Sequence, residues 1–149
     1  MEADEIKQRT DYAVALFEQG YNCSQSVFMA FSDKFGVDKA LAASLSTSFG
    51  GGIGRLREMC GAVSGGALLL GLKYPHLNPA DMHAKNANYQ IVQNFALEFK
   101  KQIGSYNCDD ILDIFSELPE TNSLETTNST SNPCVKCVKV AAELVAAKL

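Results

Sequence analysis

The chain has 149 residues, of which 46% are apolar and 20% charged, and its formal net charge is −4. That length and balance fit a globular protein with one real core. The mild acidity and the lack of a Lys/Arg-rich patch argue against nucleic-acid or anionic-membrane binding, and the longest apolar run, Ala67 to Leu72, is far shorter than the ~20 residues of a membrane span.

The punctuation along the chain is helical. Ile6, Ala13, Leu16 and Phe17 have helical spacing over residues 4–19, and Gly20 is the expected stop. Asn22 or Ser24 can cap a second helix with the stripe Val27, Phe28, Phe31 and Phe35, ended by Gly36. Asp38 can cap a third helix carrying Leu41, Leu45 and Phe49. Gly50-Gly51-Gly52-Ile53-Gly54 loses too much backbone entropy to form a stable helix. A fourth helix is expected from near Cys60 to about Lys73.

Asn78-Pro79 reads as the cap and first residue of a fifth helix, which runs along Tyr89, Val92, Phe95, Phe99 and Ile103 to a stop at Gly104. A short helix after Cys108 carries Ile111, Leu112 and Phe115. Residues 116–132, rich in Ser, Thr and Asn, read as a flexible polar loop. Asn132-Pro133 then caps a last helix from Cys134 to about Lys148, with Val138, Ala141, Leu144 and Val145 facing inward. Few stretches alternate, and no hairpin dipeptide or internal repeat occurs. The expected fold is all-α, a single irregular bundle of about six or seven helices spanning residues 1–149.

Five cysteines carry the chemistry: Cys23, Cys60, Cys108, Cys134 and Cys137. The opening Met1-Glu2-Ala3-Asp4-Glu5 is acidic and polar, unlike a signal peptide, so a cytoplasmic location is expected. In a reducing compartment several cysteines suggest metal binding or redox work, and an odd number cannot all pair within one chain. The Asn-x-Ser/Thr matches at Asn22 and Asn128 carry no weight in a chain that is not exported.

The strongest local feature is Cys60-Gly61-Ala62-Val63-Ser64-Gly65-Gly66-Ala67. So many small residues suit a helix that lies very close to a neighbour or a ligand, with Gly61, Ala62 and Gly65 as the close-approach backbone. Cys60 belongs at or just before the first turn, where free N–H groups and the helix dipole favour a thiolate, and Arg55 and Arg57 upstream could add positive potential. The competing reading is a packed core helix that starts with an inert buried cysteine.

Cys134-Val-Lys-Cys137 is a CxxC at an expected helix start. The spacing suits a dithiol couple or two metal ligands. A thioredoxin-like reading needs a βαβ context that this chain lacks. A zinc site needs two more ligands, from Cys23, Cys60, Cys108, His76 or His83. The bland alternative is a solvent-facing pair with no role.

Cys23 and Cys108 follow Tyr21-Asn22 and Tyr106-Asn107, so they too sit at expected helix starts. Helix N-termini stabilise anionic sulfur, including the sulfurs of a cluster. The glycine run before Arg55 could form an anion-binding nest, but without Walker A spacing or a strand–GxGxxG–helix unit a plain turn is the better reading. His76 and His83 read as surface residues, and Asp109, Asp110 and Asp113 as acids drawn to a helix start.

Read in order, these cysteines resemble the family labelled C_GCAxxG_C_C. The core is Cys60-Gly61-Ala62-Val63-Ser64-Gly65, preceded by Cys23 in Asn-Cys-Ser-Gln. It is followed by Cys108 in Ser-Tyr-Asn-Cys and by Cys134-Val-Lys-Cys137-Val-Lys-Val-Ala-Ala. Phe49-Gly-Gly-Gly-Ile-Gly and Gly71-Leu-Lys-Tyr also look like the family, so the resemblance runs from about Thr10 to the C-terminus. It implies redox activity resting on the cysteines, without an assigned substrate. Related modules attached to cytochromes or iron–sulfur systems imply cluster binding as an alternative. No CxxCH occurs, so covalent haem is not expected. Cys134 fits the last family position better, leaving Cys137 as an extra thiol able to resolve a disulfide.

Three functions are therefore expected to compete. In the first, Cys60 forms a disulfide with Cys23, Cys108 or Cys134, and a redox partner protein reduces it. In the second, Cys23, Cys60, Cys108 and Cys134 hold an iron–sulfur cluster or Zn²⁺. In the third, the chain is a non-catalytic helical interaction protein. An exposed apolar helix face would favour a homodimer.

Overall fold

Short polar residues open the helices, and they do so by hydrogen bonds visible in the computed structural model, which describes residues 1–116 and 132–149. Helix α1 (Ala3–Glu18) runs to Gly20, which takes φ 112° as only glycine does cheaply. Helix α2 (Cys23–Met29) starts with a capping box: the Asn22 side chain accepts from Gln25 N, and the Gln25 side chain accepts from Asn22 N. In α3 (Lys39–Ser46) the Asp38 carboxylate accepts from Leu41 N. Helix α4 (Gly61–Lys73) has Cys60 at its cap position, and α6 (Cys108–Ser116) begins on Cys108 itself. Helix α7 (Pro133–Ala146) has Pro133 in its first turn, and Asn132 accepts from Cys134 N.

Between α4 and α6 lies the long helix α5 (Met82–Ile103). Among the described residues there are seven α-helices and no strand, so the fold is an all-α bundle. The polar loop expected at 116–132 falls, apart from its two end residues, outside the described residues.

Four expectations need correction. Helix α5 starts at Met82, not at Asn78-Pro79, because Asp81 is the side chain that reaches the free N–H of Ala84, while Asn78 closes a tight turn onto Ala80 N. The second helix does not run unbroken to Phe35: it ends at Met29, and a separate 3₁₀ turn spans Ser32–Phe35 before Gly36. On α3 the buried side chains are Ala42 and Ser46, whereas Leu41 and Leu45 are each 49% exposed. Tyr89, expected on the inner stripe of α5, is exposed as well. Propensity and period locate these helices, but what each face meets decides its rotation.

The core is built from Phe28, Phe31, Phe95, Phe99, Leu16, Leu69 and Leu70, closed by Val138 and Val145 of α7. Helix α2 packs against α1, α3, α4 and α7. Its approach to α4 is closest. A Cβ on Gly61 would lie 2.9 Å from Phe49 O, and one on Gly65 would lie 2.6 Å from Ser24 O. The small residues after Cys60 thus serve contact between two backbones. Replacing Asn22 with alanine removes the α2 cap and the bond from Asn22 Nδ2 to Thr47 O. Urea denaturation should show a loss of about 1–2 kcal/mol.

Gly50–Ile53 is not a right-handed helix: Gly51, Gly52, Ile53 and Gly54 take φ of 67°, 69°, 65° and 55°, a left-handed turn. Arg55 and Arg57 follow at φ 68° and 63°. Non-glycine residues in this region are strained, and such strain gathers at functional segments. Here the strained stretch delivers Arg57 to the cysteines.

Candidate functional site

Four helix beginnings point at one place. Cys23 is the first residue of α2, Cys60 the cap of α4, Cys108 the first residue of α6 and Cys134 the second of α7, while Cys137 lies one turn further along α7. All five line a single cavity of about 190 Å³. Its wall is otherwise mostly apolar, with Phe17, Ile111 and Leu112, and among the described residues Arg57 is its one charged member.

A short backbone pairing holds part of this arrangement. Cys60 N donates to Tyr106 O at 2.8 Å, and Cys108 N donates to Glu58 O at 2.6 Å, around an isolated bridge between Met59 and Asn107. The segment leading into α4 therefore lies beside the segment leading into α6, and Cys60 and Cys108 come together. Arg57 Nη1 donates to Cys108 Sγ at 3.8 Å.

By their influence on one another the thiols fall into two pairs and one single residue. The neighbouring Cys23 thiol lowers the Cys134 pKa from 9.0 to about 7; burial opposes this and the Arg57 charge assists it. The same neighbourhood, then burial, pushes Cys23 well up. The neighbouring Cys137 thiol lowers Cys60; burial opposes, and the nearby backbone of Ala62 and Val63 assists. The Cys60 thiol, together with burial, pushes Cys137 up. Cys108 is raised by burial, with Arg57 pulling the other way. Each pair thus has one thiol pushed up and one lowered, and both lowered thiols, Cys60 and Cys134, sit at helix N-termini as the dipole argument requires. No disulfide is formed.

Cys60 and Cys137 are buried, whereas Cys23, Cys108 and Cys134 are half-buried. The CxxC is therefore not a solvent-facing pair, and its two sulfurs serve different partners. The contact partner of Cys60 is Cys137, which was not among the three partners expected for it. The inward spacing of Cys137, Ala141 and Leu144 on α7 was the available signal. Gly61 lies in the cavity wall, but Ala62 and Gly65 do not; Gly65 instead abuts Ser24 of α2. Arg57 joins the wall and Arg55 stays exposed outside it. His76 and His83 are exposed and do not line the cavity. Asn22, Gly51 and Gly52 also line it, and no sequence pattern announced the pairing of residues 57–60 with 106–109 that shapes this wall.

Thiolates suit Zn²⁺ or an iron–sulfur cluster chemically. Among the described residues, no three Cys, His, Asp or Glu are grouped to hold a metal ion. No helix among them is long and apolar enough to cross a membrane.

No curated protein and no solved structure matches the chain. A family model described as "Putative redox-active protein (C_GCAxxG_C_C)" matches residues 21–148, a span that holds all five cysteines. Convergence of those cysteines in one cavity and a match over most of the chain agree, and the protein belongs to the C_GCAxxG_C_C family.

Proposed function

We propose that the protein is a thiol–disulfide exchange protein whose working couple is Cys134 and Cys23. The observation that carries this reading is the placing of the two thiols: Cys134 and Cys23, both half-buried at helix starts, line one cavity, and the neighbourhood of Cys23 lowers the Cys134 thiol to about 7 while Cys23 is pushed up. The Cys134 thiolate attacks one sulfur of a partner disulfide, forms a mixed disulfide and releases the other partner sulfur as a thiolate. Cys23 then loses its proton and attacks Cys134 Sγ, which releases the second partner thiolate. The partner gains two electrons and takes up protons, and the chain holds a Cys23–Cys134 disulfide.

The test is to treat reduced, oxygen-free protein with excess glutathione disulfide, block free thiols and map the peptides by mass spectrometry, after assaying iron, zinc and acid-labile sulfide. A Cys23–Cys134 disulfide in metal-free protein is expected. Stoichiometric iron with sulfide, or bound zinc, would sink the reading in favour of the metal-binding alternative.

The pH dependence follows from the Cys134 value. Below about 7 the thiolate fraction of Cys134 falls tenfold per pH unit, so alkylation of this residue should rise with pH and level off above 8. Removing the Arg57 charge takes away a lowering influence, so Arg57→Ala should move the inflection to higher pH. Removing the larger influence with Cys23→Ala should move it further. Because Arg57 is exposed, added salt should shift the unaltered protein in the same direction as Arg57→Ala. Mass-resolved iodoacetamide labelling across pH 5–9 reads all three.

A further inference from the structure

The exchange step uses two thiols and leaves a second pair unexplained. Cys60 and Cys137 are only 5% and 2% exposed, too deep for the disulfide of a partner protein to reach. Yet both line the same cavity as Cys23 and Cys134, and each shifts the other's pKa more than any other group does. Cys134 and Cys137 stand three residues apart on one face of α7. Cys134 is thus the half-exposed member of the outer couple that stands one turn from the buried Cys137.

We infer that Cys60 and Cys137 are an internal dithiol that is oxidised and reduced only by way of Cys134, so that each chain stores four electrons instead of two; this rests on the Cys23–Cys134 reading. The transfer needs no further oxidant. In the oxidised outer couple, the Cys60 thiolate attacks Cys134 Sγ, forming a Cys60–Cys134 bond and releasing Cys23 as a thiolate. Cys137 gives its proton to Cys23 and attacks Cys60 Sγ, forming Cys60–Cys137 and releasing the Cys134 thiolate. Two bonds form, two break, and one proton moves from Cys137 to Cys23. The outer couple is again reduced and accepts a second disulfide equivalent.

The experiment uses the full chain, fully reduced and then oxidised with excess glutathione disulfide, a reagent too large to enter a 190 Å³ cavity. Disulfides are mapped by mass spectrometry at successive times. The expected result is Cys23–Cys134 and Cys60–Cys137 together, with Cys108 free. In Cys134→Ser, Cys60 and Cys137 should both remain thiols. In Cys23→Ser the inner disulfide should still form, because the mixed disulfide on Cys134 offers Cys60 the same target. Circular dichroism checks folding, and Cys134→Ala replaces the serine variant if that does not fold. Oxidation that stops at Cys23–Cys134 would overturn the inference and leave the exchange reading standing. Inner oxidation at the unaltered rate in Cys134→Ser would also overturn it. Absence of any Cys23–Cys134 disulfide would remove both.

Discussion

Replacing Cys134 with serine should lower the rate of exchange with external disulfides at pH 7 by about tenfold. At a pKa of about 7, roughly half of Cys134 is thiolate at that pH, whereas a thiol at an ordinary pKa near 9 is only about 1% ionised. The remaining thiols do not make up the difference. Cys23 and Cys108 are both raised, and Cys60, the other lowered thiol, is buried. The greater intrinsic nucleophilicity of a more basic thiol recovers part of the deficit, since reactivity grows with pKa at a Brønsted slope of about 0.4–0.5. It does not recover access. Cys137→Ser gives the contrast: it removes a buried neighbour of Cys60 and should leave the first exchange at Cys134 within a few-fold of normal. Stopped-flow consumption of glutathione disulfide compares the two variants, and a Cys134→Ser rate within threefold of the parent would rule Cys134 out as the entry thiol.

Gly65→Ala should be the most damaging small substitution in the bundle. The added methyl would stand 2.6 Å from Ser24 O and 3.2 Å from Ser24 Cα, both backbone atoms of α2. Backbone cannot swing aside as a long side chain can, so α2 and α4 must separate. Overpacking of this kind costs about 1–3 kcal/mol, and a backbone clash belongs at the upper end. The displacement also reaches the chemistry, because Ser24 is adjacent to Cys23. The Cys134 inflection should therefore shift to higher pH along with the loss of stability. Gly71→Ala on the same helix is the control. Nothing lies within 4 Å of its added carbon, and glycine in a helix interior is about 1 kcal/mol less favourable than alanine. That variant should be more stable than the parent. Urea denaturation that moves both variants in the same direction would contradict the close α2–α4 contact.

Both predictions show what was legible before the fold was known. The helix starts at Asn22, Asp38 and Asn132 and the stops at Gly20, Gly36 and Gly104 were readable, because a cap or a left-handed stop acts over three or four residues. The placement of four cysteines at or beside helix starts was readable for the same reason, as was the need for close approach after Cys60. Where local signals compete, as at Asn78-Pro79 against Asp81, the capping hydrogen bond actually made decides the boundary. The exposure of Leu41 and Leu45 could not be read from their type, because helix rotation follows from packing against α2 and the chain that surrounds it.

The pairing of the thiols lay beyond sequence altogether. That Cys134 meets Cys23, and that Cys137 meets Cys60, depends on how α7 docks against α2 and α4, and on glycines thin enough to let α4 lie against α2. Which thiol of each pair is lowered follows from that docking. So does the approach of Arg57 to Cys108, which rests on a left-handed turn and a single bridge between segments far apart in the chain. Residue type and local spacing determined that the chemistry would be that of cysteine sulfur at helix N-termini. Only tertiary packing, which joins distant segments and sets their burial, decided which sulfurs come together and in which direction each thiol pKa is shifted.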